Sequence, residues 1–476
     1  MGSSGGDYGL KGTLRELFSY KSGIFGLVFL LLLIFISIYA VFTIPYSEAI
    51  ALWRGQEGVY LENPRNAQPS WITYFGNNLP KTIKIDSSVE NAEGITKIVT
   101  QVPGSDIKLM KIKYSFEYDY DAFPSEFNIF FSAEFNESAP LLKIYWKKPG
   151  NTTQIKLLDY ILKSKNDKLY LSRNQKVSEK LLQHTIDVLG THPAIILPVE
   201  MSLFAVEDET MNSTTTAEPL KGIYEMTIEG TVFGEGSDVD GRLIVYGKIH
   251  GLAGTDHLRR DLTVAILWGT PIALAFGLTA SLTISLLQLV LATVSGYYGG
   301  RVDSLIQRFT EIYMILPFLP ILIMIAAFYK FNIWILLIVI IILSVFGGGV
   351  KSSRALVMQI KEYQYIEAAK AYGASSKRII FLYIIPKILP PIVPGLIGSV
   401  PGYVFLEAAL AFLGLGDPKL PTWGKVINDS FSEGALYKGL HYWVLEPALM
   451  LVLTAFAFSF LGFALDKIVN PKLKEV

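Results

Sequence analysis

Hydrophobic and polar positions in this chain are segregated into long stretches of different period. Ile24–Ile44 carries no charge. At about 1.5 Å per residue, a run of that length crosses a hydrocarbon layer of about 30 Å. It exceeds the roughly 7–15 residues of a signal-peptide core, so it predicts a retained anchor helix ended by Pro45. From Tyr46 to Ala253 the period becomes two. Tyr114, Phe116, Tyr118 and Tyr120 fall on one face with polar residues between them, the pattern of a half-buried strand. Tyr224, Met226 and Ile228 alternate similarly, as do Leu243, Val245 and Ile249, and Phe127–Phe135 and Leu141–Trp146 read as further strands. A helical period appears at Val177–Leu189, with Leu181, Leu182, Ile186 and Leu189 on one face.

Further apolar stretches follow. Leu262–Gly300 has no charged residue and exceeds one crossing, so its membrane helix is placed at Pro271–Val294 and its start at the interface. Ile312–Tyr329, Phe331–Val350, Ile388–Leu415 and Val444–Leu465 supply four more spans. Six spans put both termini on one side. Lys11, Arg15, Lys21, Arg301, Arg308, Lys467, Lys472 and Lys474 share that side with the cluster from Lys351 to Lys387, against Lys330, Lys419, Lys425 and Lys438 opposite. The positive-inside rule therefore places both termini in the cytoplasm of a multi-pass plasma-membrane protein. The expected division is a cytoplasmic segment 1–22, a first span 23–45, an extracellular β-rich, sandwich-like domain 46–253, and a helical membrane core 254–476 with a cytoplasmic loop 351–387.

Composition narrows the chemistry. Lys+Arg and Asp+Glu are both 42 among 476 residues, so net charge gives no ground for a nucleic-acid partner. The absence of cysteine excludes disulfides, thiolate metal sites and a cysteine nucleophile. No two histidines stand at the i, i+4 spacing of a helical metal site. Asn136, Asn151, Asn212 and Asn428 each begin an N-x-[ST] sequon, a weak signal singly, and all four face outside under this topology. Gly347-Gly-Gly-Val-Lys351-Ser-Ser fails the phosphate-loop pattern because Val350 precedes the lysine. No signature for ATP hydrolysis is present, and no catalytic residue is assigned.

The polar stretch Tyr363–Pro386, YQYIEAAKAYGASSKRIIFLYIIP, separates two long apolar runs. Glu367, Ala368 and Ala369 form a small, acid-tipped turn on a helix over Ile366–Ala371. Gly373 ends that helix by taking positive φ, and Ser375 or Ser376 caps a second short helix holding Arg378. Small side chains let backbones approach closely, so this knob suits insertion into a partner's groove. The segment resembles the EAA coupling loop of ABC-importer permeases, in the version of the dipeptide/oligopeptide C-type subunits. Against that family's RIIxRHILPN, Arg378-Ile379-Ile380 stands, while Leu382, Tyr383, Ile385 and Lys387 depart from it.

Other stretches carry the same resemblance. Gly254-Thr-Asp256-His-Leu-Arg-Arg-Asp261 is similar to GTDxxGRD, with Arg259 for the glycine; here Asp256 and Asp261 are expected to cap the following helix. The family's YGARxSL becomes Trp268-Gly-Thr-Pro-Ile-Ala-Leu274, without the arginine. Gly296-Tyr-Tyr-Gly-Gly-Arg301-Val-Asp303 resembles a turn between spans, in which Arg301 and Asp303 are expected to pair. Glu407–Gly416 is similar to EAxLSFLGLG, Pro421–Gly424 to PSWG, and Leu461–Pro471 to LLGDGLRDALDP. The resemblance covers Gly251–Lys472 and the first span, not the β-rich stretch.

The resemblance implies a pore-forming permease subunit without its own cofactor. Its partners would be a second related permease, two cytoplasmic ATPases carrying ATP and Mg, an extracellular solute-binding protein and membrane lipid. Glu367, Ala368, Ala369, Gly373 and Arg378 would contact the ATPase. The implied cargo is di- and oligopeptides, with oligosaccharides as the alternative. An ion-coupled transporter would need several charges inside the spans, where essentially Glu407 alone is found. A membrane-anchored receptor would leave six spans superfluous. Glu407 is read either as a wall of the solute path or as an interhelical hydrogen-bonding group.

Overall fold

The uncharged run after Lys21 forms helix α1 (Lys21–Thr43), which stops at Ile44 before Pro45, as a residue preceding proline disfavours helical backbone. The computed structural model describes residues 15–55, 59–76, 78–89, 93–135, 138–329 and 332–469. Helix α2 (Tyr46–Arg54) follows the proline and buries Ala49 and Trp53, four residues apart on one face. Ala49 shares a hydrophobic cluster with Ala40 and Trp268. The chain divides into a helical unit, Met1–Arg54 with Thr263–Val476, and a second unit, Gly55–Leu262. The β-rich unit therefore begins at 55 rather than 46, because 46–54 is helix. It ends at 262 rather than 253, because the Gly254–Asp261 stretch bonds back to it, the Thr255 N–H reaching the Ala67 carbonyl at 2.8 Å and the Asn66 N–H the Asp256 carbonyl at 3.1 Å.

The β-rich unit holds β1 (Ile83–Asp86), β2 (Ile95–Gln101), β3 (Ile107–Tyr118), β4 (Glu126–Glu134), β5 (Leu141–Lys147), β6 (Ile155–Ile161), β7 (Asn166–Leu169), α3 (Gln175–Leu189), α4 (Val199–Phe204), β8 (Gly222–Phe233) and β9 (Asp238–Tyr246). They form two antiparallel sheets, ordered β1-β9-β4-β7 and β2-β3-β8-β5-β6. One hydrophobic core draws on both, from Phe127, Ile129 and Leu243 of the first sheet to Tyr114, Trp146 and Tyr224 of the second. The Trp146 and Tyr224 rings stack with centroids 5.3 Å apart. Full burial of large apolar side chains contributes roughly 1.5–3 kcal/mol each, so the alternation along β3, β5 and β8 sets the register. The aromatic face of β3 ends at Tyr118, and Ile249 lies beyond β9. Helix α3 is capped by the Asn174 side chain, which accepts the Val177 N–H at 3.3 Å, and buries Val177, Leu181 and Thr185.

The helical unit resumes with α5 (Leu262–Tyr298), α6 (Gly300–Ile315), α7 (Phe318–Phe328), α8 (Ile333–Ser344), α9 (Gly348–Lys361) and α10 (Gln364–Ala371), then α11 (Ser376–Phe412), α12 (Trp423–Ser432) and α13 (Tyr442–Val469). Among the described residues, α1, α5, α11 and α13 are long and apolar enough to cross a membrane. Two expected spans are not straight rods. Ile312–Tyr329 breaks between α6 and α7 with a bend of 80°. There Leu316 is extended ahead of Pro317, the restriction that proline imposes on its predecessor. Phe331–Val350 breaks at Val345–Gly347, where α8 and α9 meet at 48°. The glycine-rich stretch thus opens α9 rather than ending a span, with Gly347 at its N-cap.

A third difference concerns the start of the fifth span, expected at Ile388. Helix α11 runs unbroken from Ser376 through Pro386, Pro390 and Pro391 to Phe412. A π-helical turn at Ile379–Ile384 adjusts the backbone before the prolines. The second arm of the predicted knob is therefore the first turns of a long membrane-capable helix. Helix α13 packs along α1, α11 and α12. The Trp423 indole N–H, at the head of α12, donates to the Ile266 carbonyl of α5 at 3.2 Å.

Candidate functional site

The knob is built from α10, a reversal at Tyr372–Ser375, and the start of α11. At the end of α10 the Ala374 N–H reaches the Ala369 carbonyl at 3.0 Å, and the Gly373 N–H reaches Lys370 at 2.9 Å. This paired closure requires a left-handed residue, and Gly373 has φ of +77°. Ser375, not Ser376, caps α11, its hydroxyl accepting the Arg378 N–H at 3.4 Å. Glu367, Ala368, Gly373 and Arg378 are exposed. Ala369 is not: only 9% of it is accessible, and it packs in a cluster with Leu289, Val357, Ile366 and Ile379. It holds α10 onto its own chain and is not placed to touch a groove. Tyr372, beside the turn glycine, is 93% exposed and is the most prominent side chain of the reversal. Sequence reasoning missed it, although its place next to Gly373 was a usable signal.

The turn between α5 and α6 braces this knob. The expected Arg301–Asp303 pair is replaced by a long-range one: Asp303 accepts from Arg354 Nε at 2.6 Å and Nη2 at 2.5 Å. Arg354 lies on α9, whose face toward α6 presents the guanidinium in two-bond geometry. Tyr297, at the end of α5, places its ring 5.9 Å from the Lys370 ammonium. Its hydroxyl lies 3.5 Å from that of Ser376.

Glu407 lies near the carboxyl end of α11 and is 6% exposed. Its neighbours include Thr422 and Asp417, and its Oε1 has no hydrogen-bond partner. Asp417 accepts the Ile333 N–H at 3.3 Å, at the start of α8. This burial places the carboxyl among helix ends of its own chain. Among the described residues, no group of three or more His, Asp or Glu is placed to hold a metal ion.

Asn136 lies outside the described residues. Asn151 and Asn428 commit the nitrogen that would carry a glycan, to Glu207 at 3.0 Å and to the Phe412 carbonyl at 2.6 Å. Asn212 is exposed and uses its amide oxygen for the Ala194 N–H.

Within the β-rich unit, Asp256 caps its own turn instead of α5. It accepts N–H bonds from Leu258 and Arg260, both at 2.9 Å, and the Arg260 Nε at 2.5 Å. Arg259 takes φ of +66°, which explains glycine at this position in the resembling motif. Here an arginine tolerates that backbone because its guanidinium is held on three sides. It pairs with Glu126, donates to the Asn63 carbonyl at 2.5 Å, and lies 4.5 Å from the Tyr246 ring. Elsewhere in this unit the fully buried Lys148 ammonium donates to the Ala205 carbonyl at 2.7 Å and lies 3.3 Å from Glu207. Burial pushes Lys148 down although Glu207 pulls it up. The His184 hydrogen bond, with Lys148 and Asn151, lowers Glu207 to about 2 against the opposing effect of burial.

Residues 288–475 match the family described as "Binding-protein-dependent transport system inner membrane component". The dipeptide transport system permease protein DppC of Bacillus subtilis is 34% identical over 226 residues, covering 47% of this chain and 69% of that protein. The oligopeptide permease OppC of Haemophilus influenzae is 32% identical over 221 residues, 46% of this chain and 70% of its own. The glutathione permease GsiD of Pectobacterium atrosepticum is 30% identical over 223 residues, 47% and 73% respectively. A matched segment that spans the braced turn, the knob, α11 and α13, with relatives covered over more than two thirds of their length, settles the family. The chain belongs to the binding-protein-dependent transport system inner membrane components, as a multi-pass ABC permease of the dipeptide/oligopeptide type.

Proposed function

We propose that this chain forms half of the translocation pathway of an ABC importer for di- and oligopeptides. A second related permease would complete the pathway, two cytoplasmic ATPases would drive it, and an extracellular solute-binding protein would load it. Each bent pair, α6–α7 and α8–α9, counts as one span in this reading, giving six, with both termini cytoplasmic and the β-rich unit external. The observation that carries it is the exposed knob continuous with α11: a small acid-tipped turn on a membrane-capable helix is a lever by which a partner can tilt that helix. Alternating access then follows from the ATPases closing and opening on the knob. The peptide cargo rests on the names of the relatives.

The test is uptake by proteoliposomes holding this chain with its partner permease, ATPases and binding protein. ATP-dependent accumulation of a labelled di- or tetrapeptide is expected, unaffected by excess oligosaccharide. Uptake of the oligosaccharide instead would reassign the cargo. No ATP-dependent uptake of either would remove the importer reading. The lack of native cysteine also makes topology accessible. A single cysteine at Asn212 should react with an impermeant maleimide added outside intact cells, and one at Glu362 should not.

A further inference from the structure

The knob is attached to its own chain at more than one place. It continues into α11, and it also rests on the cytoplasm-directed end of α5. There a Cβ on Gly296 would stand 2.8 Å from Val357 Cγ1 and 3.4 Å from the Arg354 carbonyl oxygen. A residue without a side chain thus lets α5 close directly onto α9. Beside that contact Asp303 takes both bonds from Arg354 and a third from the Ser295 hydroxyl at 2.5 Å. The Gln307 amide donates to the same hydroxyl at 3.1 Å. Asp303 and Arg354 side chains are only 18% and 28% exposed, so the pair sits in the seam between helices. Tyr297 completes the bridge with its ring against Lys370 and its hydroxyl toward Ser376. Tyr297 thus touches both arms of the knob, while Asp303 and Arg354 tie the turn to α9, whose Val357 and Ile360 share a hydrophobic cluster with Ile366 and Ala369 of α10.

We propose that Asp303, Arg354 and Tyr297 are positioning residues of a latch that makes the α5–α6 turn move as one body with the knob. This rests on the importer reading above. Displacement of the knob by an ATPase then reaches two long helices, α11 by chain continuity and α5 through the latch. Without the latch, the knob turns on α11 alone and ATP is hydrolysed without the matching movement of α5. The two-bond carboxylate–guanidinium geometry favours one relative orientation, which a single ammonium in its place would hold less strictly.

Two experiments on the reconstituted complex test the latch. Arg354→Ala and Asp303→Asn should keep unstimulated ATP hydrolysis within about twofold of wild type, while solute moved per ATP falls at least about tenfold. Arg354→Lys should be intermediate, and the exchange of Asp303→Arg with Arg354→Asp should restore at least half of the ratio. An unchanged ratio in both single variants overturns the latch, as does an exchange that assembles normally without rescue. The second experiment is indifferent to how well those variants assemble. Tyr297→Cys with Lys370→Cys, in a chain free of other cysteines, is joined by a short bifunctional thiol reagent. If the two sites move as one body, loss of the Tyr297 contacts lowers the solute moved per ATP before joining, and the joined complex regains it. Transport before joining and none after it overturns the latch and leaves the importer reading intact. A wild-type complex that moves no solute would count against the importer reading itself.

Discussion

Replacing Gly373 separates backbone conformation from surface shape in the knob. The residue sits at φ of +77°, and nothing lies within 4 Å of where a Cβ would be. A substitution there therefore meets no neighbour, and its cost is confined to the backbone. Left-handed backbone costs an ordinary L-residue about 1–2 kcal/mol, asparagine less, and a β-branched residue up to about 3 kcal/mol. If the strained turn relaxes to another conformation, the fraction of knobs shaped for the ATPase falls about tenfold per 1.4 kcal/mol. Gly373→Asn should then bind ATPase within about threefold of wild type, Gly373→Ala about 5–10-fold more weakly, and Gly373→Val about 10–100-fold more weakly. None of the long helices depends on this turn, so membrane levels should not change. The assay is ATPase binding to the chain and its partner permease in nanodiscs, followed by hydrolysis stimulated by loaded binding protein. Equal activity of the Asn and Val variants would refute the conformational argument. Equal loss in all three would also refute it, because it would mean that the groove rejects any side chain.

Three further predictions concern single residues. Arg259→Ala should destabilise the β-rich unit by about 2–4 kcal/mol, and Arg259→Gly by about 1 kcal/mol less, because only glycine relieves the positive φ while both lose the buried contacts; urea titration of the full chain reads the order, and Gly at or below Ala would contradict it. Glu207, lowered to about 2 in the folded unit, should contribute up to about 3 kcal/mol that is fully present above about pH 4.5 and lost as pH falls through about 2; Glu207→Gln should flatten the acid limb of the unfolding midpoint, and an unaltered limb would sink the assignment. Glu407→Gln should retain assembly and transport within about threefold, since the side chain is buried between helix ends; a loss of tenfold or more with normal assembly would return Glu407 to the solute path.

What could be read in the sequence depended on where each element sits. β3, β4, β5, β8 and β9 were all legible, and they are the interior strands of the two sheets. The four strands that left no clear pattern, β1, β2, β6 and β7, are the four edges. The physical reason is visible in β2, where no residue is fully buried: an edge strand lacks the one-sided burial that forces strict alternation. The turn at Gly373 was legible because its chemistry is local. The inward direction of Ala369 was not, since alanine suits a buried face and an exposed one equally. The Asp303–Arg354 pair joins residues 51 positions apart, and Arg301 offered a nearer cation. Only the packing of α9 against α6 decides between them.

The β-rich unit brings its own two ends together. The chain enters the unit at Gly55 and leaves it at Leu262, and the two ends are joined inside it. The Asn66 N–H reaches the Asp256 carbonyl at 3.1 Å, the Thr255 N–H reaches Ala67 at 2.8 Å, and the Ala67 N–H reaches the Thr255 hydroxyl at 3.0 Å. The Thr255 hydroxyl donates in turn to the Pro64 carbonyl at 2.7 Å. Arg259 ties the same seam to β4 through Glu126. An insertion whose ends meet need not separate the segments it interrupts. Its closure entropy grows only with the logarithm of its length, about 0.6 kcal/mol per doubling, while its core grows with its content. Arg259 therefore combines a left-handed backbone with a tie between the closing segment and β4. A motif that needs only a left-handed backbone takes glycine; one that must also hold a folded unit closed takes a side chain able to offset the same strain.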